Sequence, residues 1–403
     1  MPVVSIVKAE AIPDEGDFES SLRRAAVKEL VRRAVETAGG FTDVIHRGDK
    51  VVVKPNLLVP TTPEMHLTTD PHVTAALVEL AKDAGASRVV VAESPALVHK
   101  GRSAFRITLT ERFSREAGAE VAYLDEAEHV EFEVPEAKVL RKTLVPRLIL
   151  ESDVLIDVPK MKTHWLALAT LGIKNLLGIL PFKEKIRLHK LEIHQKLVDI
   201  LRIVKPGFTV VDGLMAMEGQ GPRCGSIIRM GTLIAGRDVV AVDAVTAAVM
   251  GFDPMEVNEV RIADAQGLGV GRLDSISVRG IQIDQVKRSF KRPSPELQGV
   301  FPNVDAYLGG ACKVCLGFTR AALDALQKSG ELQKVESLTL ICGKDVEIPG
   351  DLKGPVVVIG DCTVQHADRG IFVEGCPAYQ VYWKIPEAIG ARVPATLEGY
   401  EPR

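Results

Sequence analysis

The first long apolar run, Asp49–Lys54 (DKVVVK), has no helical period and stops at Lys54-Pro55-Asn56, so it predicts a buried strand ended by proline. Thr69-Asp70-Pro71 then offers an N-cap side chain and a proline at the first helical position. Apolar residues recur at helical spacing to about Ala84, and Gly85 supplies the stop. A second apolar run at Arg88–Ala92 returns to strand character. Strand, helix and strand at this spacing predict parallel neighbours joined by a right-handed crossover.

The alternation continues with a helix near Ser103–Ala117, strands at Val121–Leu124 and Asp153–Val158, a helix near His194–Val204 and a strand at Phe208–Val211. A helix of small residues falls within Gly236–Gly251, and Asp253-Pro254 opens another that runs to Gly267-Leu268-Gly269. The predicted fold class is α/β, with a Rossmann-like parallel sheet over residues 1–284 forming a ligand-binding domain of one or two lobes. Gln285–Leu297 (QVKRSFKRPSPEL) is basic, polar and proline-bearing, which marks 285–300 as a linker. Beyond it, a helix at about Gly317–Ser329 and strands at Ser337–Ile341 and Gly354–Ile359 predict a smaller C-terminal α/β domain over 301–403.

Charge narrows the function by exclusion. The 403 residues include 50 Lys+Arg against 53 Asp+Glu, a formal net charge of -3. A sequence-blind nucleic-acid binder needs surplus cations to displace counterions from phosphates, so no nucleic-acid partner is expected. No run approaches the ~18 apolar residues of a membrane span. The start MPVVSIVKAE lacks the charged and apolar regions of a signal peptide, so a cytoplasmic protein with no membrane partner is expected.

Of the six cysteines, Cys224 stands alone and the other five fall in the last quarter of the chain. Cys312-Lys-Val-Cys315 is a CxxC just before a helix, Gly360-Asp361-Cys362 follows a strand, and Cys376-Pro377 occupies a turn. A helix start favours negative sulfur, and cysteine-only ligation suits zinc or a [4Fe-4S] cluster. A zinc ribbon would bring two CxxC knuckles; two thiols on separate loops suit the larger cubane. The expected ligands are Cys312, Cys315, Cys362 and Cys376, whereas Cys342 ends the apolar run LTLIC and reads as core. Buried thiols with a redox CxxC are the competing reading.

A second constellation follows the strand Asp153–Val158. Lys160, Lys162, His164, Lys174, Lys185, Arg187 and His189 lie within thirty residues, beyond a carboxyl strand end where α/β sheets bind ligands. His164, Lys174 and His189 are the candidate catalytic groups, since histidine exchanges protons and lysine becomes a nucleophile when its pKa falls. Lys54, Asn56, Lys160, Lys162 and Glu218, the last in the loop Glu218-Gly219-Gln220-Gly221-Pro222, are candidate ligand-binding groups. A solvated basic loop is the alternative for the lysines, a plain turn for the glycines, and a core hydrogen-bond partner for Asp243.

KPN at Lys54–Asn56, PKMKTH at Pro159–His164, GIKNLLG at Gly172–Gly178, MEGQGP at Met217–Pro222, and AVDAV with MGFDP within Ala241–Pro254 occur in this order. Over roughly residues 45–280 the chain thereby resembles a widespread family of iron–sulfur centre proteins known only as a domain of unknown function. Members often carry a ferredoxin-like double cluster. This chain lacks the CxxCxxCxxxCP runs, so its dispersed cysteines support a single [4Fe-4S] cluster. A more distant similarity is to the lactate racemase family, which binds a nickel-pincer nucleotide: His164, Lys174 and His189 match the order of its proline-histidine pair, cofactor-anchoring lysine and nickel-binding histidine. No counterpart of that family's other catalytic histidine is found, so the resemblance implies a shared scaffold and ligand edge rather than the pincer cofactor.

These readings together lead us to expect a [4Fe-4S] enzyme of anaerobic metabolism, an oxidoreductase or a lyase or isomerase, acting on a small anionic substrate or cofactor in a cleft beside the cluster. The alternatives are an accessory electron-transfer protein that docks a redox partner, and racemase-like or lyase chemistry on a hydroxy acid.

Overall fold

In the computed structural model, which describes residues 1–96, 99–189 and 192–394, five parallel strands lie side by side. Their order is Phe208–Glu218, Val154–Val158, Lys50–Pro55, Arg88–Glu93 and Glu120–Tyr123. The runs are continuously apolar because both faces of the sheet are covered: Val52, Val90 and Leu155 enter one core, whereas Val51, Val53, Val89, Val91 and Ile156 enter the other. The helix Pro71–Asp83 makes the first crossover, with the Asp70 carboxylate accepting from the His72 backbone N–H as N-cap.

The chain builds from Lys50–Pro55 outward to Glu120–Tyr123 and then returns to the opposite flank of Lys50–Pro55 with Val154–Val158. Strand order therefore reverses between these two central strands. At such a switch point the connections leave in opposite directions and open a crevice at the carboxyl ends.

Several elements depart from the sequence reading. The expected helix Ser103–Ala117 is two helices, Gly101–Ile107 and Thr110–Glu116, parted at Leu109, which has a φ of 60°. The strand expected at Phe208–Val211 runs on to Glu218 and pairs antiparallel with Ser226–Gly236, which in turn pairs with Val3–Lys8. The charged Arg229 and Gly231, the latter at φ 64°, break that segment's apolar run.

Residues 285–300 are not a free linker. Phe290 is buried in the core of the first domain and Leu297 in the core of the second. The backbone between them is tied to the glycine loop, through Gly219 N–H to the Lys291 carbonyl (2.8 Å) and Ser294 N–H to Gln220 Oε1 (2.7 Å). Apolar anchors at both ends outweigh the basic, polar composition in between.

The C-terminal unit is a four-stranded parallel sheet in chain order, Val304–Leu308, Leu338–Cys342, Val356–Ile359 and Ile371–Val373. The helix Lys313–Lys328 makes the first crossover. Positions 395–403 of the expected domain lie outside the described residues. The two domains meet where Trp165 packs edge-on to Phe318 at a centroid separation of 5.4 Å. A β-carbon on Gly317 would stand 2.0 Å from the Trp165 ring. Gly317→Ala should therefore cost about 1–3 kcal/mol by overpacking and should shift Trp165 fluorescence. Unchanged denaturant midpoint and emission in this variant would show that the contact is not close-packed.

Candidate functional site

The central strands put Lys54 opposite Asp157 and Pro55 opposite Val158 in register. Lys54 is fully buried and donates to Glu93 Oε2 (2.5 Å), a carboxylate at the end of the neighbouring strand. Burial pushes the Glu93 pKa up, against the opposing pull of Lys54 and Lys185. Past Pro159 the chain re-enters the sheet as Lys160–His164, pairing with Phe208–Glu218. Lys160 is consumed by a buried ion pair with Asp212 at 2.8 Å. Lys162 instead donates to neutral oxygens, Asn56 Oδ1 (2.7 Å) and the Leu67 carbonyl (2.8 Å).

Asn56 continues this chain by donating to Asn175 Oδ1 (2.9 Å), and Asn175 donates to Asp157 Oδ1 (2.8 Å). Burial raises Asp157 to about 7, against Lys54 and the Asn175 hydrogen bond. Asn175 and Lys174 ride on the short helix Gly172–Asn175, whose first two N–H groups, Gly172 and Ile173, donate to Asp243. Asp243 is thus the core hydrogen-bond partner that its position suggested.

These elements frame a cavity of about 840 Å³, partly open to solvent, between the two domains. Its wall includes Asn56, Lys162, His164, Lys174 and His189, so the structure brings the three candidate catalytic side chains together. Glu93, Lys185 and Arg223 join them, and Trp165, Phe318 and Tyr382 form an apolar side. Lys54, Lys160 and Glu218 do not reach the wall. The first two are held by carboxylates, and Glu218 accepts from the Lys291 N–H at 3.2 Å, securing the interdomain segment instead.

The backbone sets the tautomers of the two histidines. His164 Nδ1 accepts from the N–H groups of Leu166 (3.1 Å) and Ala167 (3.4 Å), so the proton of the neutral ring lies on Nε2. His189 Nδ1 lies 2.7 Å from the Lys185 carbonyl and must donate to it, which leaves a lone pair on Nε2. Burial, reinforced by Lys174, holds His164 well below its ordinary value and His189 down at about 3. One ring therefore offers the cavity a donor and the other an acceptor.

The lysines differ in the same way. Lys185 donates to Ser94 Oγ (2.8 Å) and to the Ser94 and Pro95 carbonyls, and burial lowers it to about 7. Among the described residues Lys174 has no hydrogen-bond or ion-pair partner; burial lowers it to about 8, with distant Glu259 opposing.

At the C-terminal sheet, Leu308, Cys342, Ile359 and Val373 stand in one row at the carboxyl ends. Each strand end leads to a thiol: Cys312 and Cys315 beyond the first, Cys342 on the second, Cys362 beyond the third and Cys376 beyond the fourth. Cys312 is the N-cap of the helix Lys313–Lys328 and Cys315 lies in its first turn, so the CxxC is part of the helix start. The Cys315 thiol interacts with the neighbouring thiols of Cys312 and Cys342. A β-carbon on Gly360 would lie 3.6 Å from Cys362 Sγ and 3.8 Å from Cys315 Sγ. The Cys376 turn is bonded to the Cys362 loop through Gly375 N–H to Asp361 Oδ1 (2.5 Å). Cys342 is buried, as its apolar run implied, yet its thiol joins this group. Among the described residues, no three His, Cys, Asp or Glu side chains are arranged about a single metal ion.

Glu93, Asp157 and Arg223 escaped the sequence reading. A signal existed for the first two, each the lone charge near the carboxyl end of an otherwise apolar strand, VVVAE and VLIDV.

Residues 51–248 match the family model described as "Domain of unknown function (DUF362)". The match spans the parallel sheet and the lysine and histidine segments, and stops before the five C-terminal cysteines. A thylakoid-associated protein of Synechocystis is 27% identical over 278 residues, 65% of this chain and 81% of that protein. The lactate racemase apoprotein of Thermoanaerobacterium thermosaccharolyticum is a distant structural match, with a TM-score of 0.43 and 11% identity over 90% of this chain and 88% of that one. Among the described residues no helix is long and apolar enough to cross a membrane.

Lys174 yields a linkage prediction. Below about pH 8 the amine is charged in both states, and the native state carries the full burial penalty. As pH rises from about 8 to the ordinary 10.5, the native state loses its proton first and the penalty fades. Wild-type stability should rise across that window. Lys174→Met should be more stable at pH 7, by at most ~3 kcal/mol, and flat across it. Denaturant midpoints measured against pH check this; a methionine variant no more stable at pH 7 would refute it.

Proposed function

We propose that this chain is a [4Fe-4S] protein that binds, and acts on, a small anion in the cavity between its domains. The observation that carries the reading is the charge of the cavity wall. Lys162, Lys174 and Lys185 face the space against a single carboxylate, Glu93, which Lys54 already holds. Buried cations without counter-charges are costly, and a bound carboxylate or phosphate would supply the missing partner. Its arrival would draw protons onto Lys174 and Lys185, which burial lowers to about 8 and about 7.

The thiols suit a cluster better than a single ion. A mononuclear site needs ligands converging on one point, whereas each iron of a cubane takes its own thiolate. Cys312, Cys315, Cys362 and Cys376 would hold it, with Cys342 adjoining Cys315. When bound, the cluster supplies single electrons, or a Lewis acid where one iron lacks a thiolate. The helix that begins at these thiols also presents Phe318 and Ala321 to the cavity, one and two turns on from Cys315.

Protein purified without oxygen should contain about four irons and four sulfides per chain. Cys315→Ser should lose or convert the cluster, whereas Cys224→Ser, a core thiol directed at the Ala321 carbonyl, should retain it. Stoichiometric zinc without sulfide would overturn the cluster.

Inorganic phosphate or malonate should raise the Tm, with calorimetric proton uptake that depends on buffer ionisation. Lys162→Ala and Lys185→Ala should each weaken binding about tenfold or more, an effect of ~1.4 kcal/mol. An unchanged Tm at high concentrations of both anions would remove the anion site.

A further inference from the structure

We propose that Lys174 is a nucleophile whose amine condenses with the carbonyl group of the bound anion, so that the ligand class is an oxo acid. This deepens the anion-site reading above and rests on it. Of the five lysines gathered at this sheet edge, four are engaged. Lys54 and Lys160 are paired with carboxylates, Lys162 holds two neutral oxygens, and Lys185 holds three. Lys174 is 8% exposed, lines the cavity and, among the described residues, contacts no acceptor. An amine with nothing to hold is a poor structural element and a good nucleophile.

Its position is prescribed by the fold. Asp243 fixes the start of the helix Gly172–Asn175, and a β-carbon on Gly172 would stand 2.5 Å from Val239 Cγ2 and 2.9 Å from Asp243 Oδ1, so only glycine lets the turn sit this deep. Lys162, with two of its three ammonium donors engaged, can hold a carboxylate beside the reacting carbon, and Lys185, with all three engaged, can contribute its charge alone. The titratable groups that act on the amine or feel its charge are Lys162, His164, Lys185, His189 and Glu259. Only Glu259 favours the ammonium form.

The two histidines complete the requirement. The amine lone pair forms the C–N bond while the carbonyl π pair moves to oxygen, toward which His164 Nε2–H is a donor. His189 Nε2 can carry a proton from the new ammonium to the alkoxide, giving the neutral carbinolamine, and then carry the remaining N–H proton to the hydroxyl. The C–O bond breaks as the nitrogen electron pair forms C=N, and the hydroxyl leaves as water, giving an imine. Amine and carbonyl are consumed, imine and water are formed, and no electron donor or acceptor is required.

The test uses the full-length protein, pyruvate as the probe and sodium cyanoborohydride to reduce any imine to a stable secondary amine. Intact mass and peptide mapping should find a single adduct, on Lys174, that Lys174→Arg abolishes. A lysine lowered to about 8 has a free-amine fraction at neutral pH on the order of a hundredfold above that of an ordinary lysine. Labelling of the wild type should therefore rise with pH to a plateau, with its midpoint near 8.

If Lys174 were only a fixed positive charge, pyruvate binding would instead strengthen as pH falls below 8 and no adduct would form. Pyruvate or phosphate binding without an adduct, or adducts spread over lysines as in urea-unfolded protein, overturns the imine and leaves the anion site standing. Absence of both binding and adduct removes the two readings together.

Discussion

An ion pair taken wholly out of water must recover its desolvation through geometry, and the Lys54–Glu93 pair does so by joining the ends of two parallel strands. Glu93 Oε1 also accepts from the Ser94 N–H at 3.0 Å, and Ser94 is the residue to which Lys185 donates. On its other side the carboxylate presses against the chain at Gly178, where a β-carbon would lie 2.0 Å from Glu93 Oε1. The pair thus holds three separate segments, and every cavity group reached through Ser94 or Gly178 takes its position from it. Removing Lys54 would leave a buried carboxylate with no counter-charge of equal reach, a loss of the several-kcal/mol kind.

Charge is graded outward from that pair. Nearest the strands, Lys54 and Lys160 meet carboxylates. One layer out, Lys162 and Lys185 meet carbonyl, amide and hydroxyl oxygens, which bind an ammonium without neutralising it. At the wall Lys174 meets nothing among the described residues. A chain selected for stability alone would replace such an amine, and its retention is the sort of local cost that concentrates at functional sites. The polar chain from Asp157 through Asn175 and Asn56 to Lys162 crosses the same switch point and links both central strands to the cavity.

Much of this was legible in the residues. Apolar runs covered on both faces announced the parallel strands, and Asp70-Pro71 announced the helix start. His164, Lys174 and His189 were legible as a group because each follows a strand or helix end on the carboxyl side of one sheet. Engagement was not legible. Nothing in KPN or PKMK tells that Lys54 and Lys160 spend their charge on Glu93 and Asp212, since those partners lie 39 and 52 positions away. The strand Ser226–Gly236 was hidden by Arg229 and Gly231, and the 285–300 segment by two isolated anchors, Phe290 and Leu297, in an otherwise polar stretch. Cys342 shows how one feature supports two readings: LTLIC is a core strand, and the register that buries it also brings its thiol to the row of strand ends.

That row gives the second domain its relation to the first. The helix Lys313–Lys328 begins at Cys312 and Cys315, receives Trp165 against the bare backbone of Gly317, and one turn after Cys315 sets Phe318 over both Trp165 and His189, at 5.4 and 6.1 Å between ring centroids. Tyr382, on the helix that follows Cys376, closes the same aromatic group at 5.7 Å from Phe318. The thiols are thereby connected to the cavity by about one helical turn of close-packed structure rather than by a loop. Packed interiors transmit displacement because they have little free volume to absorb it. The aromatic side of the cavity, where Phe318 and Tyr382 of the C-terminal unit meet Trp165, is therefore the part of the site most sensitive to the thiols, while the basic side, built from the parallel sheet, is fixed by Lys54 and Glu93.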